Sequence, residues 1–159
     1  MQDIYTAEWY DALQALLNRN PDIEKNAPRG QLKVLAEIRG DGPSPYVAAG
    51  ERLFFVVHLH DGKCTEYQQV TDPPPRKEFD FLFEVPASVF EGIAAGNVDP
   101  IGAGLKGTIR ITGDMRILIR HADLVNVLHR IYAREVETGW PKGRPPYAGG
   151  PVQTGFPGR

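Results

Sequence analysis

The order of elements along this chain predicts an α+β domain, with helices packed on one face of a sheet. Three observations carry that prediction. Apolar residues alternate with polar ones in five segments, and they recur at helical spacing in three others. The two kinds are segregated rather than strictly alternating: helix, four strands, helix, strand, helix. The length, 159 residues, suits a single domain, and a chain of this size buries roughly 68–70% of its unfolded surface without help from a metal or a disulfide.

The first helix spans residues 5–19, where Trp9, Leu13, Leu16 and Leu17 share a face, Thr6 is the N-cap and Glu8 sits in the first turn; Pro21 ends it. A strand follows at 32–39, with Leu32, Val34, Ala36 and Ile38 on one side. Gly40 to Gly50, carrying Pro43 and Pro45, is loop. Arg52–His60 is the strongest strand. Leu53, Phe55, Val57 and Leu59 occupy one face and Phe54 and Val56 the other, which marks a central strand or one covered by another element or a second protomer. Asp61-Gly62 is a hairpin turn leading to a more polar strand at 64–70, nearer an edge. Pro73-Pro74-Pro75 forms a stiff connector.

From Lys77 to Val85 the pattern predicts a half-buried strand, with Phe79, Phe81, Phe83 and Val85 inward and Glu78, Asp80 and Glu84 outward. Ser88-Val89-Phe90-Glu91 has the form of a capping box opening a short helix that Gly96 ends. Residues 99–105 are a Gly-rich segment, and 107–112 a last strand with Ile109 and Ile111 inward. Gly113-Asp114 caps a long helix running to about Val136. Beyond Gly139 the chain is rich in Pro and Gly and has no period, so residues 5–137 are expected to form the domain and 138–159 a C-terminal tail.

Composition excludes several function classes. Eighteen basic against twenty acidic residues, a net charge of −2, argues against a nucleic-acid partner held by bulk charge. The single cysteine, Cys64, excludes an internal disulfide and a multi-cysteine zinc site. No apolar run reaches the ~18 residues of a membrane span, and the polar opening Met1-Gln2-Asp3 leads to the expectation of a cytoplasmic protein. Gly102-Ala103-Gly104-Leu105-Lys106-Gly107 matches the G-x-G-x-x-G pattern, but a helix precedes it and a strand follows. Phosphate binding needs the opposite order, so these glycines are expected to serve a tight turn. His58-x-His60 and Cys64 lie close in sequence, yet no further ligand or orienting group accompanies them. Neither a G-x-S-x-G elbow nor an H-E-x-x-H helix occurs. No catalytic residue, metal site or cofactor is therefore expected.

On the last helix, Ile117, Leu118, Ala122, Leu124, Val125, Leu128, Ile131, Tyr132 and Val136 cover about half the circumference at 100° per residue. Arg116, Arg120, Arg130 and Arg134 gather opposite, as a solvated basic face or one that meets anionic lipid headgroups. His121 falls inside the apolar arc, where it can hydrogen-bond the polar end of a ligand if the core is hollow.

Two segments then carry a resemblance. Phe90-Glu91-Gly92-Ile93-Ala94-Ala95-Gly96-Asn97-Val98-Asp99-Pro100 is followed by Gly107-Thr108-Ile109-Arg110-Ile111-Thr112-Gly113-Asp114 and directly by the amphipathic helix. Together they resemble the sterol carrier protein type 2 family, a lipid-binding and lipid-transfer domain, over roughly residues 5–135. The sequence departs from that pattern at Gly102, Ala103 and Gly104, where bulky apolar residues are usual and only Leu105 is bulky. The resemblance implies a single five-stranded, mostly antiparallel sheet with helices on one face, enclosing an apolar tunnel for a fatty acid, fatty acyl-CoA or sterol-like molecule. The expected ligand-binding residues are Phe55, Val57, Phe81, Phe83, Phe90, Ile93, Leu105, Ile109, Met115, Leu118, His121 and Leu128. The expected function is non-catalytic lipid binding or transfer, with transient contact to an anionic membrane surface. The alternative is an accessory or homo-oligomerisation module of the same fold without a lipid. Trp140, Tyr147 and Phe156 would let the tail fold over the tunnel mouth.

Overall fold

The computed structural model describes residues 1–147. Helix α1, Ala7–Arg19, begins where Thr6 leaves the extended conformation; the Thr6 hydroxyl accepts a hydrogen bond from the Trp9 amide at 3.3 Å, and Arg19 closes the last turn. Its inward face is Trp9, Tyr10, Leu13 and Leu17, all buried. Pro21 does more than stop it. Fixed φ and a missing N–H suit the first helical position, and Pro21 opens α2, Pro21–Asn26, which the Asn20 side chain caps.

Five strands form one sheet: β2, Gln31–Arg39; β3, Arg52–His60; β4, Lys63–Val70; β5, Phe81–Pro86; and β6, Arg110–Gly113. Their order is β4-β3-β2-β5-β6, antiparallel except for the parallel β2–β5 pair. Strand β3 is interior and β4 an edge, as their apolar and polar patterns require. The β3–β4 turn places Asp61 and Gly62 at φ 49° and 82°. A short parallel pair, β1 (Gln2–Asp3) with β7 (Thr138–Gly139), ties the start of the chain to residues beyond the last helix, reinforced by the Trp9 indole N–H donating to Thr138 Oγ1 at 3.0 Å.

Several expected boundaries move, each for a local reason. The strand expected at 77–85 starts at Phe81, because Arg76–Glu78 forms a 3₁₀ turn behind the prolines. Phe79 consequently packs on the outer face with Leu35, Val56 and Leu82 rather than inward. The Gly-rich segment is a helix, α4, Pro100–Leu105, since the Asp99 carboxylate accepts from the amides of Ile101 and Gly102 and Pro100 stands at its start. The last strand is shorter than 107–112, because the amides of Thr108 and Ile109 bond back to the Ala103 carbonyl. The long final helix is broken into α5, Met115–Arg120, and α6, Ala122–Arg130, followed by a π-helical turn, Ile131–Glu135. His121, at φ −110° and ψ 33°, is the break.

The capping box is also corrected. Helix α3, Ala87–Ala94, starts at Pro86 without a side-chain cap from its own sequence. The carboxylate of Asp41, from the loop after β2, accepts the Ser88 amide at 3.3 Å and also the Ser88 hydroxyl. Glu91 is turned away into the interior.

The main core lies between the helices and the inner sheet face and is dominated by rings. Trp9, Tyr10, Phe55, Tyr67, Phe90 and Tyr132 meet at centroid distances of 5.3–6.2 Å. On the outer face, Leu35, Val56 and Leu82 form a second, smaller apolar row, flanked by Phe54, Val70 and Phe79.

Candidate functional site

The strand register defines rows on the inner sheet face. Val34 lies between Val57 and Phe81; Ala36 lies between Phe55 and Phe83, and Ile111 follows; Ile38 lies between Leu53 and Val85. Ala36, Ile38, Phe55 and Val85 are buried. Val34, Val57, Phe83 and Ile111 are only half-buried, although all are apolar. On α5 and α6, Ile117, Leu118, Val125 and Leu128 are half-buried; α5 buries no residue, whereas α6 buries Leu124 and Val127. Val57, Phe83, Ile111 and Leu128 lean on the main cluster while keeping part of their surface uncovered. Burial is thus complete around Trp9 and Phe90 and partial at these positions.

The expected ligand-binding residues fall into three groups. Phe55, Phe81, Phe90, Ile93 and Ile109 are buried. Val57, Phe83, Leu118, His121 and Leu128 are half-buried. Leu105 and Met115 face solvent, at 86% and 43% exposure. His121 Nδ1 lies 3.0 Å from the Asn26 carbonyl. Because a carbonyl only accepts, Nδ1 carries the hydrogen, and in the neutral ring Nε2 is then an acceptor. A depression of about 10 Å³, room for about one water, lies against Ser88, Gly92, Asn97, Val98 and Pro145–Tyr147. A shallow surface hollow of about 230 Å³ lies between Leu16, Arg19 and Glu135. The twelve expected residues line neither.

One polar constellation inside the protein was not read from the sequence. The Glu91 side chain is fully buried; its Oε2 accepts the hydroxyls of Tyr5 at 2.6 Å and Ser44 at 2.8 Å, and its Oε1 accepts that of Tyr147 at 2.6 Å. Burial pushes the Glu91 carboxyl above its usual range, and the three hydroxyls pull it partly back. The same burial and the facing carboxylate push Tyr5 and Tyr147 upward. The site fastens four segments to one another: the N-terminus, the 41–47 loop, α3 and residues 140–147. Asn97 Nδ2 donating to the Pro145 carbonyl at 2.7 Å and Arg144 donating to the Ala95 carbonyl at 2.8 Å extend that attachment.

The thiol and the neighbouring histidines are separated. Cys64 pairs with Leu59 and points into the core, where burial pushes its thiol up to about 11. His58 and His60 lie on the opposite side of β3, His60 pairing with Asp61 at 3.6 Å. Among the described residues no three His, Cys, Asp or Glu side chains converge as metal ligands, and no helix is long and apolar enough to cross a membrane.

No protein-family model matches the chain, and no curated protein matches it by sequence. Solved structures do match. Sterol carrier protein 2 in its crystal structure superposes with a TM-score of 0.71 at 20% identity, covering 85% of this chain and 100% of that one. A conserved hypothetical protein from Thermus thermophilus, suggested to be a sterol carrier protein, gives 0.70 at 21% identity over 90% and 96% of the two chains. The palmitated sterol carrier protein 2-like 2 from Aedes aegypti gives 0.51 at 20% identity over 79% and 96%. With the mixed, mostly antiparallel five-stranded sheet and its helices on one face, these likenesses establish that the chain has the sterol carrier protein 2 fold.

Proposed function

We propose that the protein is a non-catalytic lipid carrier. It takes a fatty acid, a fatty acyl-CoA or a sterol-like molecule into apolar space between the inner sheet face and α4–α6. The observation that carries this reading is the set of half-buried apolar residues, Val34, Val57, Phe83 and Ile111 from the sheet and Leu118, Val125 and Leu128 from the helices. A long chain laid along them would complete their burial. Ten methylenes transferred from water supply about 8 kcal/mol before ordering costs. The names of the structural neighbours point the same way, one of them being palmitated. In the neutral ring His121 Nε2 accepts from a hydroxyl at the ligand's polar end, and in the protonated ring it donates to a carboxylate.

In this reading α4 and α5 form the entrance, and the protein is a cytoplasmic carrier that touches an anionic membrane surface transiently. Residues 5–137 are the carrier domain and 138–159 an appendage; Trp140 and Tyr147 pack back onto the body, while Phe156 lies outside the described residues. The test is titration with a fluorescent fatty acid. Saturable, one-to-one binding that palmitate displaces is expected, and widening Val57 to Trp should weaken it. Absence of binding at micromolar protein contradicts the proposal.

A second reading has its own observation. On the sheet face away from the helices, Phe54, Val70 and Phe79 are half-buried apolar residues flanking the buried Leu35, Val56 and Leu82. An accessory module would use it to join a second copy. Sedimentation velocity that returns a monomer across a wide concentration range removes this reading.

A further inference from the structure

Helix α4 contains Gly102, Ala103 and Gly104, and the first two have a local reason to be small. A Cβ at Gly102 would stand 3.2 Å from Asp99 Oδ2, the carboxylate oxygen that caps this helix. Ala103 is buried in the main core. Gly104 has no such reason. Its backbone is helical and not left-handed, so no torsion there calls for glycine. Beyond its own helix, a Cβ built on Gly104 meets one heavy atom of the described residues within 4 Å, Ile111 Cδ1 at 3.5 Å, which is ordinary van der Waals contact. Glycine is the poorest helix former after proline, and a helix of six residues is short enough to feel the loss.

The atom that Gly104 faces belongs to the inner side of the sheet. Ile111 pairs with Phe83 across β5 and β6, and both lean on the main cluster while remaining half-buried. Gly104 is half-buried too. A larger apolar residue at this position would cover Ile111 and strengthen the helix. Glycine instead leaves room for about one side chain against Ile111, at the β6 end of the proposed ligand space.

From this contact we propose that Gly104 is a specificity-determining residue: the gap it leaves over Ile111 receives a methyl branch of the ligand, so the protein favours methyl-branched acyl chains over unbranched ones. The inference rests on the carrier reading and deepens it. A gap the size of one side chain suits a methyl group projecting from a chain and is too small for a fused ring system. The described side-chain atom within reach of that gap is a methyl carbon, so the discrimination is by shape and not by hydrogen bonding. Each methyl buried in this way raises affinity about fourfold.

The experiment is displacement of a fluorescent fatty acid from the full chain by palmitate and by phytanate, which share a carboxylate and a main-chain length and differ in methyl branches. The wild type is expected to bind phytanate more tightly than palmitate. Gly104→Leu should weaken phytanate by about tenfold, the effect of overfilling a packed space, and leave palmitate within about twofold. Gly104→Ala fills only part of the gap and should weaken phytanate by about fourfold. Both substitutions improve the helix, so neither should lower Tm; the alanine variant carries the test if the leucine variant does not fold. Equal weakening of the two acids, or phytanate binding unchanged in the variants, overturns the proposal. A wild type that takes palmitate and refuses phytanate also overturns it and leaves the carrier reading standing. A wild type that binds neither acid removes both.

Discussion

Replacing Tyr147 with Phe removes one hydroxyl from the buried Glu91 site and little else. The ring keeps its volume, while Glu91 Oε1 loses the donor it holds at 2.6 Å. A hydrogen bond to a charged group contributes about 1.5–3 kcal/mol, and this carboxylate has no exposed surface through which water can replace it. For a domain of this size each kcal/mol moves Tm by about 2–4 °C, so the variant should melt roughly 3–12 °C lower. The loss should appear in the C-terminal segment first. Lys142 lies between the anchor at Tyr147 and the β1–β7 pair, and trypsin should cut the Lys142–Gly143 bond faster in the variant. Tyr46→Phe is the comparison. Its hydroxyl donates to the Gly143 carbonyl at 2.8 Å and accepts the Lys142 amide at 3.1 Å in an exposed setting, so the effect should be smaller. Thermal unfolding by circular dichroism and a tryptic time course read both. A Tyr147→Phe protein with unchanged Tm and unchanged cleavage would refute the idea that Glu91 fastens the segment.

Glu91 also sets a pH dependence. Its folded-state pKa is raised by burial, so the folded protein binds the proton more readily than the unfolded chain. That contribution to stability is full below the ordinary glutamate value of ~4.3 and is lost as pH rises through the folded value; Glu91→Gln should flatten this part of the Tm–pH profile, and an unaltered profile would contradict the assignment. With its thiol pushed up to about 11, Cys64 should be alkylated by iodoacetamide at pH 8 far more slowly in the native protein than in urea; rapid native labelling would restore thiol chemistry as a candidate. Gly113→Ala would place a methyl 2.3 Å from Phe81 Cδ1 and 2.6 Å from the Asp80 carbonyl. It should cost more than ~1 kcal/mol and lower Tm by several degrees, whereas an unchanged Tm would show that β5 and β6 separate freely.

How far the fold is legible in the sequence depends on which interactions decide each element. Strands β2, β3 and β4 are local patterns of alternating residues, the last two joined by a tight Asp-Gly turn, and their expected limits agree with the structure to within a residue. Helix α1 is likewise fixed by its own cap and apolar stripe. The misplaced elements answer to partners distant in sequence or to competing caps. Ser88 and Glu91 satisfy a capping pattern, yet Asp41 takes the cap, and hydroxyls 47, 56 and 86 residues away take the carboxylate. Nothing in one dimension distinguishes those outcomes. Helix α4 hid behind its glycines, though Asp99-Pro100 is itself a helix-start signal. The final helix has an unbroken apolar period, and only the reach of His121 to Asn26 marks its interruption. Placement of candidate site residues follows the same division. The strand residues Phe55 and Phe81 and the helix residue Phe90 turn inward as alternation and spacing demand, but Leu105 and Met115 face solvent. Hydrophobicity alone does not say on which side of a six-residue helix a side chain falls.

A lipid held between the inner sheet face and α4–α6 is what separates a carrier from an accessory module of the same fold. Native mass spectrometry of the purified full chain, followed by solvent extraction and identification of anything released, tests it most directly. A one-to-one adduct in the mass range of a fatty acid, fatty acyl-CoA or sterol-like molecule is predicted, with palmitate restoring the adduct to stripped protein. A protein that flies only at its polypeptide mass and remains so after incubation with palmitate, palmitoyl-CoA and cholesterol would contradict the claim.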